Sequence, residues 1–509
     1  MRNSTVDTDV LIVGAGPVGL FLANECARRG LRWRLIEAHS RQSIHSKALA
    51  IFPRTLEIFD MAGIAAPFLQ EANLVKSVAV MVPDRALAHI PFTPDESPYP
   101  FIAMVPQNVT ERLLADELRL KGGSIEYETA FVGADQQDGA VTVTTVQQGK
   151  PVQVRASFVV GCDGAHSTVR RALGLPFQGG EYEASFMLAD IETTEFLPED
   201  QLQLCPSEFG PLAIFPMSSR RRRIVATIER PEGDAPSLEL VQKILRQRAP
   251  RGIEAHQVYW SSYFRIHHRN VAQMRAGRIF LAGDAAHIHS PFGGQGMNTG
   301  LQDVWNLAWK LDLFLHGRGN ELLLDSYTSE RLPVIKQVIK TTDFLTMVMG
   351  TPNKFAQALR NTVLPLVSRL SRFQHAFVQG LSELAIAYPG STIVEGSGKR
   401  YFDDSMRGGN GIRSRFLMMI DPDRESSTQK VAKQLFESFR DTVEFRSSRN
   451  AGITFVRPDG YIAYSAQRRD LVPALASVRS LLERQTVSNG DLCSSRHSFV
   501  QTQSKELRS

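Results

Sequence analysis

Unbroken apolar runs that stop at glycine, rather than alternating apolar and polar positions, mark the clearest elements of this chain. Asp9-Val-Leu-Ile-Val13 meets Gly14-Ala-Gly16-Pro17-Val-Gly19, and a helical repeat follows through Leu20–Arg29. Phe158-Val-Val160 meets Gly161-Cys162-Asp163-Gly164, with a helix predicted a few residues on. Arg278–Ala282 meets Gly283-Asp284, then Pro291, Gly293, Gly294 and Gly296, before Leu301–Leu315 takes up helical spacing. A continuous apolar run suits a strand buried on both faces, and a period near 3.6 suits an amphipathic helix. Glycine at the joint lets backbone approach a ligand closely, and the helix start behind it points N–H groups at electron-rich atoms.

The first junction says most. Trp33–Ile36 returns as a second strand and ends in Glu37, eighteen residues after Gly19. Strand, Gly-x-Gly-x-x-Gly, helix, strand and acid make up the dinucleotide fingerprint in its full context. Gly14 permits the tight turn, Gly16 lets pyrophosphate approach, Gly19 lets helix pack on strand, and Glu37 can accept from ribose hydroxyls. Which dinucleotide is bound stays open. An NAD dehydrogenase would continue as alternating strands and helices, whereas Leu74–Ile102 is extended and interrupted by proline, and Val141–Val160 alternates as strands. Between them Pro106-Gln107-Asn-Val-Thr110-Glu111-Arg112 turns from a strand end into a helix. Thr110 is a candidate cap, and Gln107 and Arg112 are either surface residues or contacts to a cofactor. From Gln178 to Gln273 the pattern is strand-rich, with strands predicted at Ser185–Thr193, Gln201–Leu204, Leu212–Met217, Ile224–Ile228 and Val258–Ile266.

Composition narrows the class. With 509 residues, 43% hydrophobic and 22% charged, the chain has room for two or three domains with substantial cores. A net charge of +5 is small for this length and matches no nucleic-acid module. The basic run Arg220–Arg223 reads as a solvated hairpin turn rather than an anion site. Cys26, Cys162, Cys205 and Cys493 are scattered without a CxxC pair, which argues against a zinc site or disulfide framework and fits a reducing cytoplasm. A strand begins by Asp9, leaving no room for a signal peptide, and no run of eighteen apolar residues exists, so integral membrane contact is not expected.

The ordered triplet of Gly14-x-Gly16-x-x-Gly19 with Glu37, Cys162-Asp163-Gly164 with Ser167 and Arg170, and Gly283-Asp284 with Pro291 and Gly296 resembles the group A flavoprotein monooxygenases. These are the p-hydroxybenzoate hydroxylase-like aromatic hydroxylases, and the similarity runs from Asp9 to about Val394. The resemblance implies an α/β chain in which a Rossmann-like FAD-binding domain (1–177 with 274–395) is interleaved with a β-sheet substrate domain (178–273, with part of 74–105 joining it). Residues 396–487 resemble the thioredoxin-like domain of the phenol and polyketide hydroxylases, with Val456-Arg-Pro-Asp459-Gly460-Tyr461 as its hairpin signature, and Ser488–Ser509 reads as a flexible tail. Without CxxC, packing or homodimer formation is expected of that domain rather than redox chemistry.

Carried over by position, the resemblance places Gly14, Gly16, Pro17 and Gly19 on the pyrophosphate and Glu37 on the adenosine ribose. Arg54 falls near the FAD phosphates, Gln107 on the cofactor, and Asp163 in a motif serving FAD and NAD(P)H. Gly283 and Asp284 fall on the ribityl chain or pyrophosphate, and Pro291 with Gly293, Gly294, Gly296, Met297 and Asn298 on the isoalloxazine. At Lys47-Ala48 relatives often carry arginine, so the bidentate fork is missing there. The implied activity is hydroxylation of a phenolic or polyketide-like aromatic by molecular oxygen through a flavin hydroperoxide, with NAD(P)H, NADPH favoured, as co-substrate. No catalytic base is legible; His287 and His289 read as loop histidines. Tyr182, Phe186, Phe215, Tyr259 and Tyr263 are candidates either for the substrate cavity or for sheet core. Other flavin chemistry on this scaffold, halogenation or reduction, and a non-catalytic aromatic-binding flavoprotein are the alternatives. Trp33, Trp260, Trp305 and Trp309 form no halogenase Trp-x-Trp motif.

Overall fold

The computed structural model describes residues 6–42, 46–94, 96–193, 197–290, 293–409, 415–420, 426–447, 452–467 and 471–487, the side chains of 181–184, 266–267, 426–429 and 447 aside. The three apolar runs become neighbouring parallel strands of one seven-stranded sheet. Its order is Arg275–Ala276, Ile279–Leu281, Lys150–Gly161, Thr8–Val13, Trp33–Ile36, with Thr129–Gln137 and Ala140–Gln147 attached through the outer half of Lys150–Gly161. Every residue of Thr8–Val13 is buried, as expected of a strand covered on both faces. The helix behind it begins at Pro17, three residues before the apolar repeat, because proline at the first helical position has its φ pre-set and lacks only an N–H that would go unpaired. The third helix likewise starts at Gly296, five residues before Leu301, and runs to Leu315.

The second layer is an eight-stranded sheet in the order His287–Ile288, Ala255–Asn270, Gln178–Thr193, Arg221–Ile228, Leu212–Pro216, Gln201–Cys205, Ser77–Val82, Arg85–Pro91. Its long strands exceed the apolar cores that signal them, running through register shifts between Glu181 and Ser185 and at Asp190. The pair Ser77–Val82 and Arg85–Pro91 joins this sheet by a parallel contact with Gln201–Cys205. Period-two alternation sorts its faces. Met187, Ala189 and Ile191 pack with the helix Leu238–Arg248, while Phe186, Leu188, Phe215 and Val225 face Leu49, Ala50 and Phe52.

The last unit is a four-stranded sheet ordered Val443–Ser447, Phe416–Ile420, Ile453–Val456, Ile462–Ala466, with helices Ser426–Phe439 and Val472–Gln485. A parallel first pair followed by an antiparallel hairpin is the arrangement of a thioredoxin-like unit. It is not a loose appendage. Trp309 and Leu313, from the helix Gly296–Leu315, belong to its hydrophobic core. Glu330, fully buried, receives Lys310 Nζ (2.8 Å), Arg457 Nη2 (2.9 Å), Asn306 and Ser391, and Arg457 also pairs with Asp459. Burial alone would raise the Glu330 carboxyl, but Arg457 and Lys310 hold it far below its ordinary range.

Candidate active site

Val13 lies opposite Gly161, and Gly161 opposite Leu281, so the three junctions leave the sheet side by side at the carboxyl ends of adjacent strands. That is where open parallel sheets bind ligands. Glycine is required at their contacts. Gly14 has φ +101°, and a Cβ there would sit 2.6 Å from the Cys162 carbonyl oxygen. Gly283 has φ +58° and backs onto Val18, while a Cβ on Gly300 would meet Val18 at 2.7 Å and Gly283 Cα at 3.0 Å. Arg170 fastens the second junction to the third by donating to the carbonyls of Ala165 and Ala285, both at 2.8 Å. Only Gly16 is open. Nothing lies within 4 Å of where its Cβ would be, and the helix start beside it has no side-chain cap. An open glycine beside free N–H groups suits a pyrophosphate.

At one end of this groove Glu37 accepts from Ala15 N (2.8 Å) and His39 N (3.0 Å), which holds its carboxylate against the fingerprint turn. Gln107 braces the segment Ser46–Ala48: its N–H donates to Ser46 Oγ (2.9 Å), its Oε1 accepts from Ala48 N (3.1 Å), and its Nε2 donates to Glu111 (2.9 Å). Burial, with the charge of Glu37, pushes the Glu111 carboxyl up to about 7 against the pull of Gln107. Sequence reasoning passed over Glu111, whose signal is only its place one helical turn after Gln107. Asp284 is open to the groove and has no hydrogen bond or ion pair among the described residues. Crowding by protein raises its carboxyl, opposed by His287 and Lys47.

At the other end the loop before Gly296 is tied to both sheets. His287–Ile288 pairs with Arg269 and Asn270 at the end of the eight-stranded sheet. His287 Nε2 meets Asp303 at 2.7 Å, and Asp303 also accepts from Gly283 N (3.0 Å) and Arg331 Nε (2.7 Å). Burial would raise Asp303, but Arg331 and His287 hold it below its ordinary value. Asn298 bridges to Phe52 N (3.0 Å) and Ala50 O (2.9 Å), Gly294 rests against Ala50 and Phe52, and Met297 packs into the main core. The ring of His289 lies over Gly296. Its Nδ1 faces the Ser290 carbonyl at 3.0 Å and so carries the proton, which leaves a buried, unpaired Nε2; burial pushes this histidine down to about 4. The helix at Gly296 has no side-chain cap, so its N–H groups stay available for negative charge.

Several residues are placed differently from expectation. Arg54 is fully buried, paired with Glu57 (3.1 Å), donating to Asp459 O (2.9 Å) and lying 4.7 Å over the Tyr461 ring; it serves the junction with the thioredoxin-like unit and presents no guanidinium to the groove. Asp163 Oδ2 accepts from Thr168 N, Thr168 Oγ1 and Val169 N, so half of its carboxylate caps a helix, while Oδ1 is left unpaired. Arg112 pairs with Glu71 and Asp116 on the outer surface, and Thr110 lies inside its helix rather than capping it. The basic run is solvated only in its first half, at Arg220 and Arg221. Arg222 and Arg223 are each 1% exposed, Arg223 forking onto Asp190 (2.7 and 2.8 Å) and reaching Lys47 O and Ala48 O (3.1 Å each). Of the aromatic candidates, Phe186 and Phe215 face the groove side of the sheet, whereas exposed Tyr259 bonds to Glu192, and Tyr263, half-buried against the opposite face, donates to the Glu232 carbonyl. Pro291 and the Tyr182 side chain lie outside the described residues. Among those residues no group of three or more His, Cys, Asp or Glu could hold a metal.

The profile of the family described as an FAD binding domain matches residues 7–342. The chain belongs to the FAD-dependent aromatic monooxygenases. It is 35% identical over 400 residues to 6-methylpretetramide 4-monooxygenase of Streptomyces rimosus, covering 76% of this chain and 71% of that one. With the rifampicin monooxygenase of Streptomyces venezuelae it shares 30% identity over 477 residues, 90% and 96% of the two chains. The solved anhydrotetracycline hydroxylase OxyS of Streptomyces rimosus superposes with a TM-score of 0.74 at 27% identity, covering 92% of this chain and 98% of that one. The fold of this monooxygenase agrees with the Rossmann-like reading.

Proposed function

We propose that this monooxygenase hydroxylates a phenolic or polyketide-like aromatic, with NADPH favoured over NADH as the electron donor. The overall balance is aromatic C–H plus O2, NADPH and a proton giving C–OH, NADP+ and water. When bound, FAD supplies the redox chemistry, passing the hydride's electrons to oxygen and one oxygen atom to the ring; the chain supplies grip, orientation and dryness. The observation that carries this reading is the convergence of three glycine junctions beside an apolar sheet face. Gly14, Gly16, Pro17 and Gly19 would hold the pyrophosphate and Glu37 the adenosine ribose. Gly283 and Asp284 would hold the ribityl chain, and Gly294 to Asn298, with Pro291, the ring system. Gln107 and Asp163 would act from the second row, through Ser46–Ala48 and the helix that Asp163 caps.

Uncapped N–H groups at Gly296 would stabilise negative charge on the reduced ring. Neutral His289 above them adds no competing proton at neutral pH. Phe186, Phe215, Trp260 and Phe264 would wall the substrate and keep water out, which prevents wasteful release of hydrogen peroxide. Residues 1–177 with 274–395 would carry the cofactor, 178–273 with the strands Ser77–Val82 and Arg85–Pro91 the substrate, and 396–487 would brace both.

The test is to follow NADPH oxidation and oxygen uptake by the FAD-loaded enzyme against a panel of phenols and polycyclic phenols, with product quantified. Faster oxidation matched by hydroxylated product is expected. Ligand-independent oxidation giving only peroxide would refute the reading. Asp284→Ala should keep the fold while weakening FAD binding roughly 10- to 100-fold, about 1.4–3 kcal/mol.

A further inference from the structure

The helix Lys354–Val367 turns its apolar face outward. Phe355, Leu359, Val363 and Leu366 fall within about 80° of one another at 100° per residue, yet they are 78%, 55%, 41% and 64% exposed. No residue of that helix is buried. Phe344 and Met347, near the end of the preceding helix, and Leu370, after it, are equally open at 58%, 63% and 58%. Scattered apolar residues on a surface need no account, but a run of this kind marks a surface that meets something.

Its charge has a single sign. From Phe344 to Ser382 there is no Asp or Glu, while Lys354, Arg360, Arg369 and Arg372 are present. At the chain's own frequency, 53 acids in 509 residues, those 39 residues would hold about four. Lys354, Arg369 and Arg372 are exposed, and Arg360 reaches the backbone carbonyls of Val348 and Met349 rather than a carboxylate. Of the bordering acids, Glu383 is buried and turned inward onto Gln302.

We propose that this basic, outward-facing apolar helix seats the protein on a bilayer surface that contains anionic lipid. A second copy of the chain fits worse: stripe against stripe would set four cations beside four, with no acid in either segment to answer them. An anionic headgroup plane meets the cations with opposite charge and takes the apolar stripe at the acyl boundary. Among the described residues no helix is long and apolar enough to cross a membrane, so the contact is peripheral. The inner side of the same segment, through Leu364, Phe373, Phe377 and Leu381, packs against the sheet face that holds Phe186 and Phe215. It therefore stands between a bilayer and the aromatic wall. Delivery of a lipophilic ring along that route rests on the hydroxylase reading; the docking does not.

Flotation of full-length, FAD-loaded protein with vesicles of phosphatidylcholine alone, or mixed with phosphatidylglycerol, tests the proposal. Binding is expected only to the mixed vesicles, with release by molar salt as charge is screened. Phe355→Glu with Leu366→Glu should lower partitioning about tenfold or more, and each of Lys354→Gln, Arg369→Gln and Arg372→Gln about fivefold. Leu120→Glu, at a position 84% exposed on another helix, should change nothing. Flavin absorbance checks the fold of each variant. No binding to mixed vesicles, equal loss in the Leu120 variant, or a dimer in solution that Phe355→Glu breaks while vesicles are ignored would each overturn the proposal. A protein that floats as expected but turns over no phenol would fail the hydroxylase reading alone.

Discussion

Gly16 and Gly19 separate two tasks that fingerprint glycines usually share, and alanine at each tells them apart. At Gly19 the added methyl would lie 1.9 Å from Gly14 O and 3.1 Å from Gly14 C, where ordinary contact begins at 3.4 Å. The turn or the helix must therefore move by about 1.5 Å. The turn has little freedom to yield, because Gly14 N donates to Ile36 O (2.9 Å) and Ala15 N to Glu37 (2.8 Å). Overpacking of about 1–3 kcal/mol plus roughly 1 kcal/mol for one weakened hydrogen bond gives a loss of about 3 kcal/mol in the apoprotein. At Gly16 the methyl meets nothing, and the backbone (φ −73°, ψ −177°) suits any residue. Lower entropy of the unfolded chain favours alanine by about 0.4–1 kcal/mol, and its poorer standing as an N-cap opposes by a similar amount. Apoprotein stability should stay within about 1 kcal/mol of wild type, while the methyl would occupy the path proposed for the pyrophosphate. FAD affinity should then fall roughly 100-fold, about 2.7 kcal/mol. Urea melts of the apoproteins, followed by tryptophan fluorescence, and flavin-fluorescence titrations read the two quantities separately. A Gly16→Ala protein that binds FAD like wild type, or a Gly19→Ala apoprotein of undiminished stability, would refute the assignment.

Three further outcomes are expected. Glu330→Gln leaves Lys310 buried without its anion and Arg457 with Asp459 alone, so thermal stability should drop by about 3–5 kcal/mol, and calorimetry should show the thioredoxin-like unit melting separately. Arg223→Lys loses the fork onto Asp190 and the hold on Lys47 and Ala48, lowering urea stability by about 2 kcal/mol. The folded chain keeps a proton on Glu111 to about pH 7, which the unfolded chain, with an ordinary value of 4.5, has already released. Between those values the native state binds more protons, so wild-type stability should fall as pH rises, by about 3 kcal/mol in all. Glu111→Gln should flatten that slope in urea melts from pH 4.5 to 8; an unchanged slope would place the titration elsewhere.

The features legible in the chain were those that depend on near neighbours. An apolar run buried on both faces, a glycine whose φ is positive and a helix with its own period all declare themselves within about twenty residues, so the three junctions and the acid at Glu37 could be read directly. The apolar period places the helix starts at Leu20 and Leu301, past Pro17 and Gly296, because the first turn of each holds a single aliphatic or thioether side chain, Val18 or Met297, among proline, glycine and polar neighbours and so shows no repeat. Other features had no local sign. Arg223 looked like part of a solvated turn until Asp190 and the carbonyls of Lys47 and Ala48 met it, and Arg54 looked available until Glu57, Asp459 and Tyr461 enclosed it. Partners 33, 175 and 405 residues away decide those roles. Sequence alone thus determined that strands would end in glycine turns ahead of helices. Only the tertiary structure decided which charged side chains remained free to face a ligand, because a buried cation must be answered by whichever anion or carbonyl the packing brings to it.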